Sequence, residues 1–422
     1  MNPLLINTYD RGGAANACIR LHKGLLNENI DSKLLVRQKA RNDIPEEYQI
    51  ELNTIELSIG TKINNKLKNI LKELKLYSPK SDKFRTLRPK GLEMFSYPNS
   101  IYDITKSKLF KQADIINLHW VADFLDYPSF FKNCDKPVAW TLHDQNPFLG
   151  IEHYAEDYIG IDNNGFPIKR ELTIAEKEKI NEGLKIKAEA FSDFNDLHII
   201  TLCNWMKQEV ENSELLKKYS VSIIPNGIDS NVFKPRNKNY SRELLNIPQN
   251  KKVLLFVSDS VNNHRKGFAY LIKAFEQIKN NNIVLLSVGA KNSSLIQSNN
   301  IKELGRINDE LLMSIIYSAA DVFIIPSLMD NLPNTVLESI MCGTPVIGFP
   351  IGGIPDMIQD GENGYLTDEI SVPALKRTIE KFIETSDTFN TEQIRHNAVK
   401  KYDLSIQAKG YIKLYEKILS QN

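Results

Sequence analysis

PSLMDNLPNTVLESIMCGTPVIG, residues 326–348, sets two acids, Asp330 and Glu338, eight positions apart around the start of a helix. It begins at the end of an apolar run, VFIIP (322–326), and closes in a second, PVIGF (345–349). Both runs read as buried strands. Between them, SLMDNL reads as a loop and PNTVLESIMC as a helix stopped by Gly343. Pro333 suits the first helical turn, where its missing N–H would be unpaired anyway, and Gly343 suits the C-terminal stop. A strand, a helix and a further apolar strand in this order are the unit of a parallel α/β sheet. The free N–H groups of Asn334 and Thr335 then face out beyond the strand's C-terminal edge, where a helix start attracts anions, phosphates above all. Helical side chains lean towards the N-terminus, so Glu338 can reach back to whatever binds there. A carboxylate beside a phosphate is repelled unless it grips hydroxyls, and the two hydroxyls of a ribose meet that demand. A nucleotide carries both groups. Asp330, on the loop before the helix, would face the far end of the ligand. The competing reading makes Asp330 a helix cap and Glu338 an ordinary helix residue.

The same alternation runs through most of the chain. Apolar runs at 3–7, 33–36, 115–118, 138–142, 198–202 and 221–225 form a first set, and those at 253–257, 283–288, 322–326 and 345–349 a second. The polar stretch NGIDSNVFKPRNKNYSRELLNIPQNKK (226–252) between them reads as an interdomain linker. The expected division is a first Rossmann-like domain over 1–232, a second over 233–404, and a closing helix at 405–422 that packs back on the first. Their shared cleft is the default ligand site. Residues 40–110 carry few strand signals. Within them TKINNKLKNILKELKL (61–76) puts Ile63, Leu67, Ile70, Leu71 and Leu74 at helical spacing, with five lysines on the other faces. Such a helix can pack on its own domain or lie on an anionic membrane surface.

Composition narrows the classes. The chain has 422 residues, 42% of them hydrophobic, and a formal net charge of +1. It can bury sizeable cores, and nothing in its overall charge favours a nucleic acid as partner. Cys18, Cys134, Cys203 and Cys342 show no CxxC spacing, which fits buried thiols in a reducing cytoplasm. Met1 leads directly into a strand-like run with no signal peptide expected, and no apolar run is long enough to span a bilayer. A cytoplasmic location follows as the expectation, with any membrane contact peripheral at the inner face.

Asp330-Asn331-Leu332-Pro333 followed by Glu338, Gly343-Thr344-Pro345-Val346, and then Gly352-Gly353 with Asp356 is similar to the signature of the retaining glycosyltransferases of family 4. That signature reads E-N-x-P-x-x-x-x-E, then G-T-P-V, then G-G-x-x-E/D. The resemblance spans nearly the whole chain. INTYDRGGAANACIRLHKGL resembles the family's opening strand, Gly-Gly loop and helix, and WTLHDQNPFLGIEHY its His-Asp strand end. SIIPNGID resembles the turn at the domain junction, VSDSVNNHRKGFAYLIKAF the basic loop before a helix, and YDLSIQAKGYIKLYEKIL the closing helices. Similarity is strongest to members from bacterial polysaccharide clusters, the colanic-acid type included.

The resemblance implies the GT-B fold, two Rossmann-like domains with parallel sheets facing across a cleft. It implies transfer of a hexose-type sugar, with retention, from a UDP- or GDP-linked donor to an acceptor glycan, free or lipid-linked. It places Gly12, Gly13, Asn331, Leu332, Pro333, Asn334, Thr335 and Glu338 around the donor nucleotide. His143, Asp330, Arg265 and Lys266 fall at the reacting sugar and diphosphate. No cofactor is expected, and no metal, because the chain has no D-x-D; Arg265 and Lys266 would neutralise the diphosphate instead. Two positions depart from the family pattern. Asp330 stands where Glu is usual, and Ser260 and Val261 occupy positions where many relatives carry an Arg before the loop lysine. A non-catalytic nucleotide-sugar or glycan-binding relative is the rival reading. A dinucleotide oxidoreductase is disfavoured because YDRGGAANA does not supply G-x-G-x-x-G.

Overall fold

The computed structural model describes residues 1–49, 84, 88–260, 263–290 and 300–421; the lysine-rich segment 61–76 lies outside the described residues. The strands in chain order are β1 (Pro3–Tyr9), β2 (Lys33–Gln38), β3 (Glu47–Gln49), β4 (Ile115–Leu118), β5 (Val138–Thr141), β6 (Tyr158–Ile161), β7 (Pro167–Lys169), β8 (Leu197–Thr201), β9 (Ser220–Ile223), β10 (Lys252–Ser260), β11 (Ile283–Ala290), β12 (Ile301–Gly305), β13 (Val322–Ile325), β14 (Val346–Gly348) and β15 (Gly364–Leu366). Seven form one sheet, ordered β3-β2-β1-β4-β5-β8-β9, and six form another, ordered β12-β11-β10-β13-β14-β15. Every pairing within these two sheets is parallel. Two Rossmann-like units of mixed α/β structure result, as the apolar runs predict. Helices cover both faces of each sheet, which is why its central strands read as unbroken apolar runs: β4, β5 and β13 are buried at every residue.

The strands absent from the sequence reading are β3, β6, β7, β12 and β15. They are three to five residues long and half-exposed or at sheet edges, too short for periodicity to register. The antiparallel pair β6–β7 has a structural role of its own. Its Gly165 carbonyl accepts from Val372 N at 2.8 Å and its Gly160 carbonyl from the Tyr270 hydroxyl at 3.2 Å. A hairpin from the first half of the chain is thereby fastened to helices of the second sheet. The expected linker is likewise more ordered than its composition suggests: it contains the helix Lys238–Leu244, capped by the Asn237 side chain at Tyr240 N.

The last helix, Leu404–Leu419, crosses back to the first sheet and lies on the helix Gly13–Asn27. The close approach is at Gly24, where a Cβ would stand 3.2 Å from both Leu404 and Ala408. The Tyr415 hydroxyl accepts from Asn117 of β4 at 2.6 Å, and the Tyr411 hydroxyl lies 3.0 Å from Thr141 of β5. The crossing occurs where Ile228 bonds both sides of Asp403: Ile228 N donates to Tyr402 O and Leu404 N to Ile228 O. Two chain passages are stitched side by side there, between the sheets.

Candidate functional site

The C-terminal ends of β1, β4 and β5 face the loop that follows β13 and the helix Asn334–Met341 beyond it. The acid loop is held from below by Gly352 and Gly353. Gly353 N donates to Asp330 O at 2.9 Å, and a Cβ on Gly353 would lie 1.9 Å from Asn331 O, so only glycine admits this contact. From the other domain, Leu142 O accepts from Asn331 Nδ2 at 2.9 Å, one residue before His143. Leu332 is buried, and Pro333 sits at φ −63° immediately before the first helical residue. Neither that helix nor Gly13–Asn27 has a side-chain cap or an acid in its first turn. The two helix starts abut, with Asn334 Nδ2 donating to Gly13 O at 3.0 Å and Asn226 Nδ2 to Asn334 Oδ1 at 2.9 Å. Among the described residues, and apart from the adjoining backbone, nothing lies within 4 Å of where a Cβ would stand on Gly12 or Gly13. Gly12, Gly13, Asn331, Leu332, Pro333, Asn334 and the half-buried Thr335 therefore share one boundary between the domains.

Asp330 is only 5% exposed. Burial alone would raise its carboxyl pKa, but the charges of Lys266 and Arg265 outweigh it and hold the group below the usual carboxylate range. Lys266 Nζ stands 2.7 Å from Oδ2 and Arg265 Nη1 3.2 Å from Oδ1. The two adjacent cations differ in what else they do. Arg265 also donates through Nε and Nη2 to Glu93 Oε2, at 3.0 and 2.7 Å, and through Nη1 to Met329 O at 2.7 Å. Its guanidinium lies over the Tyr154 ring, 4.3 Å from the centroid. Glu93 is half-buried, which would raise its carboxyl, yet the Arg265 charge outweighs this and holds it at about 2. The Arg265 side chain is thus almost fully committed at 8% exposure, whereas the Lys266 side chain keeps 26% and pairs with Asp330 alone among the described residues. Sequence reasoning treats the pair as one diphosphate grip; the geometry makes Arg265 the inner brace and Lys266 the outward cation.

That difference is measurable in stability. Arg265→Ala leaves the buried Asp330 and the half-buried Glu93 each short of a partner, a loss of about 3–5 kcal/mol. At roughly 2–4 °C per kcal/mol for domains of this size, Tm should fall by on the order of ten degrees. Lys266→Ala removes a partly exposed cation and should cost under about 1 kcal/mol. Equal calorimetric shifts for the two variants would contradict the division of roles.

Glu338, 9% exposed, faces the first domain. Its Oε1 accepts from Arg20 Nη2 at 2.8 Å and its Oε2 from the Tyr317 hydroxyl at 3.1 Å. Burial raises its pKa and Arg20 pulls it back part of the way, leaving it above the usual carboxylate value. Arg20, Tyr317 and Glu93 escaped the sequence reading. For Arg20 a signal existed: it sits between Ile19 and Leu21 on the helix Gly13–Asn27, a charge among buried neighbours.

His143 lies two residues beyond β5, half-buried, with Nε2 2.9 Å from His119 Nδ1 and the two rings stacked at 5.2 Å. Burial brings His143 down to about 4 and His119 well below its ordinary value, so both are neutral at pH 7 and one donates to the other. His119, at the end of β4, was also missed. Beside them, Asp144 accepts from Trp120 Nε1 at 2.7 Å and lies 2.6 Å from His153 Nδ1. A cavity of about 10 Å³, lined by His119, Trp120, His143 and Asp144 among others, has room for about one water. Among the described residues no group of three His, Cys, Asp or Glu could hold a metal ion, and no helix is long and apolar enough to cross a membrane.

Residues 237–401 match the family described as glycosyl transferases group 1. Over 196 residues, 42% of the chain, it is 26% identical to the D-inositol 3-phosphate glycosyltransferase of Mycolicibacterium smegmatis, covering 44% of that protein. The chain spans about half the length of the curated relatives it matches. Two solved structures superpose along its whole length. Sucrose-phosphate synthase (tll1590) from Thermosynechococcus elongatus gives a TM-score of 0.70 at 17% identity, covering 100% of both chains. Anabaena Alr3699/HepE, in complex with UDP and glucose, gives 0.66 at 16%, covering 99% of each. At these identities the likeness is one of fold, the two-domain GT-B arrangement.

Proposed function

We propose that this chain, whose residues 237–401 match the glycosyl transferases group 1 family, transfers a sugar, with retention, from a nucleotide diphosphate sugar to an acceptor glycan. The observation that carries the reading is the uncapped start of the helix Asn334–Met341, placed between two acids of different standing: Asp330 paired to the outward Lys266, and Glu338 buried one turn inside. Free N–H groups and an ammonium suit a diphosphate. Glu338 suits the ribose hydroxyls, and Asp330 those of the donor sugar. His143, neutral and half-buried, can hydrogen-bond that sugar but is not placed to serve as a charged acid.

In this scheme the bond between the anomeric carbon and the β-phosphate oxygen breaks, and the oxygen leaves with the electron pair. Lys266 and the helix N–H groups stabilise the charge that develops on it. The acceptor hydroxyl enters on the same face and passes its proton to the departing phosphate oxygen, so the new bond keeps the donor's configuration. Acceptors on cell-surface polysaccharides, free or lipid-linked, fit the resemblance noted above. A panel of UDP- and GDP-sugars, screened for turnover by product analysis and for binding by thermal shift, tests the proposal. A single donor is expected both to raise Tm and to be consumed.

One observation favours a second reading. Both acids already hold cations of the protein, Asp330 those of Lys266 and Arg265, and Glu338 that of Arg20. A nucleotide-sugar binder without catalysis would raise Tm with a donor yet turn none over. Because the diphosphate charge is met by Lys266 and helix N–H groups, transfer should proceed undiminished in excess EDTA. Abolition by EDTA, with recovery on adding Mg²⁺ or Mn²⁺, would contradict this.

A further inference from the structure

Arg20 is carried by the first domain, yet every hydrogen bond found for it among the described residues goes to the second. Nε and Nη2 donate to Glu310 Oε1 at 3.1 and 2.6 Å, and Nη2 also to Glu338 Oε1 at 2.8 Å. Its guanidinium lies over the Phe233 ring, 5.2 Å from the centroid. Nη1 is buried without a partner, leaving a donor group unused beside Glu338. Removing an arginine from water to pair it across a domain boundary is expensive, and a well-packed apolar side chain would often serve stability as well. A geometry of this kind is better explained by what it does to the acid.

We propose that Arg20 is a positioning residue of the donor site, holding the Glu338 carboxylate ionised and oriented for ribose hydroxyls, so that this grip is complete only when the two domains are closed. The proposal rests on the donor-site reading above. Among the described residues Arg20 is the one cation that forms an ion pair with Glu338. Glu310 is a like charge at the start of the helix Glu310–Ala319, its side chain 43% exposed. Tyr317, from the same helix, is a neutral hydroxyl, and Cys342, beyond the end of Glu338's own helix, is a thiol that burial pushes up to about 12. With Arg20 gone, burial and Glu310 both favour the protonated acid. A protonated carboxyl keeps only part of its accepting capacity and presents no charge to the hydroxyls. Nucleotide affinity should then fall more steeply than in wild type as pH falls.

The test is calorimetric titration of the full chain with UDP and with GDP at pH 6 and pH 8, for wild type, Arg20→Gln and Arg20→Lys. Arg20→Gln is expected to bind about tenfold more weakly at pH 8, with a further several-fold loss at pH 6 relative to wild type. Arg20→Lys, which restores the charge, should recover most of the affinity and remove the added pH dependence. A folded Arg20→Gln that binds as well as wild type, or more tightly, overturns the proposal, the latter by showing that Arg20 blocks the acid. Weaker binding without any added pH dependence also overturns it, since a packing role alone would give that. Should Arg20→Gln not fold, the uncharged Arg20→Met takes its place, and wild-type affinity of that variant at both pH values would overturn the proposal. If the wild type binds neither nucleotide, the donor reading itself fails, and this inference falls with it.

Discussion

Glu338→Gln is expected to lower kcat/KM for the nucleotide-sugar donor by about two to three decades while the fold persists. Hydrogen bonds to an ionised group contribute about 1.5–3 kcal/mol each, and a ribose offers two hydroxyls to one carboxylate. Glutamine keeps one accepting oxygen and nearly the same volume, so part of the interaction and the packing of the side chain survive. Its amide can no longer balance Arg20, but Glu310 remains bonded to that guanidinium at 2.6 Å. The stability loss should therefore be smaller than that of Arg265→Ala. Kinetics against donor concentration, with thermal melting as the control for folding, decide it. Wild-type KM and kcat in a folded Glu338→Gln chain would remove Glu338 from the donor site.

Lys266→Ala should reduce turnover by roughly two to three decades, the effect of removing one preorganised charge from a developing anion. The loss should be specific to the phosphates. The nucleoside, which lacks them, should bind the variant almost as it binds wild type, whereas the nucleoside diphosphate should bind far more weakly. Equal losses for the two ligands would mark the loop around Lys266 as a structural support. The pairing with Asp330 does not oppose this role. Lys266 is the more open partner of that acid, and Arg265 stays on the same carboxylate when the ammonium turns towards a phosphate.

Much of the architecture was legible in one dimension. β4, β5, β10, β11 and β13 appear as apolar runs because both faces of each sheet are covered, and consecutive buried positions, 253–256 in β10 and 283–289 in β11, write a continuous signal. The helix Asn334–Met341 was equally readable, since Pro333 before it and Gly343 after it act through backbone geometry within a few residues. The hairpin β6–β7 was not readable: its residues are mostly half-exposed, and its reason to form lies in contacts to Tyr270 and Val372, more than a hundred positions away.

What the sequence determined by itself is the pair of parallel sheets, the acid–helix–acid unit and the candidates gathered around it, because strand burial, helix stops and glycine turns are local properties. What only the tertiary structure decided is which charges meet. Arg20 reaches Glu338 across 318 positions and Arg265 reaches Glu93 across 172, while His119 and His143 stack because β4 and β5 are neighbours. Adjacent Arg265 and Lys266 look alike in sequence and differ only in what surrounds them. Charge partners and pKa values depend on distance and burial, and both are settled when the C-terminal edges of the two sheets come together.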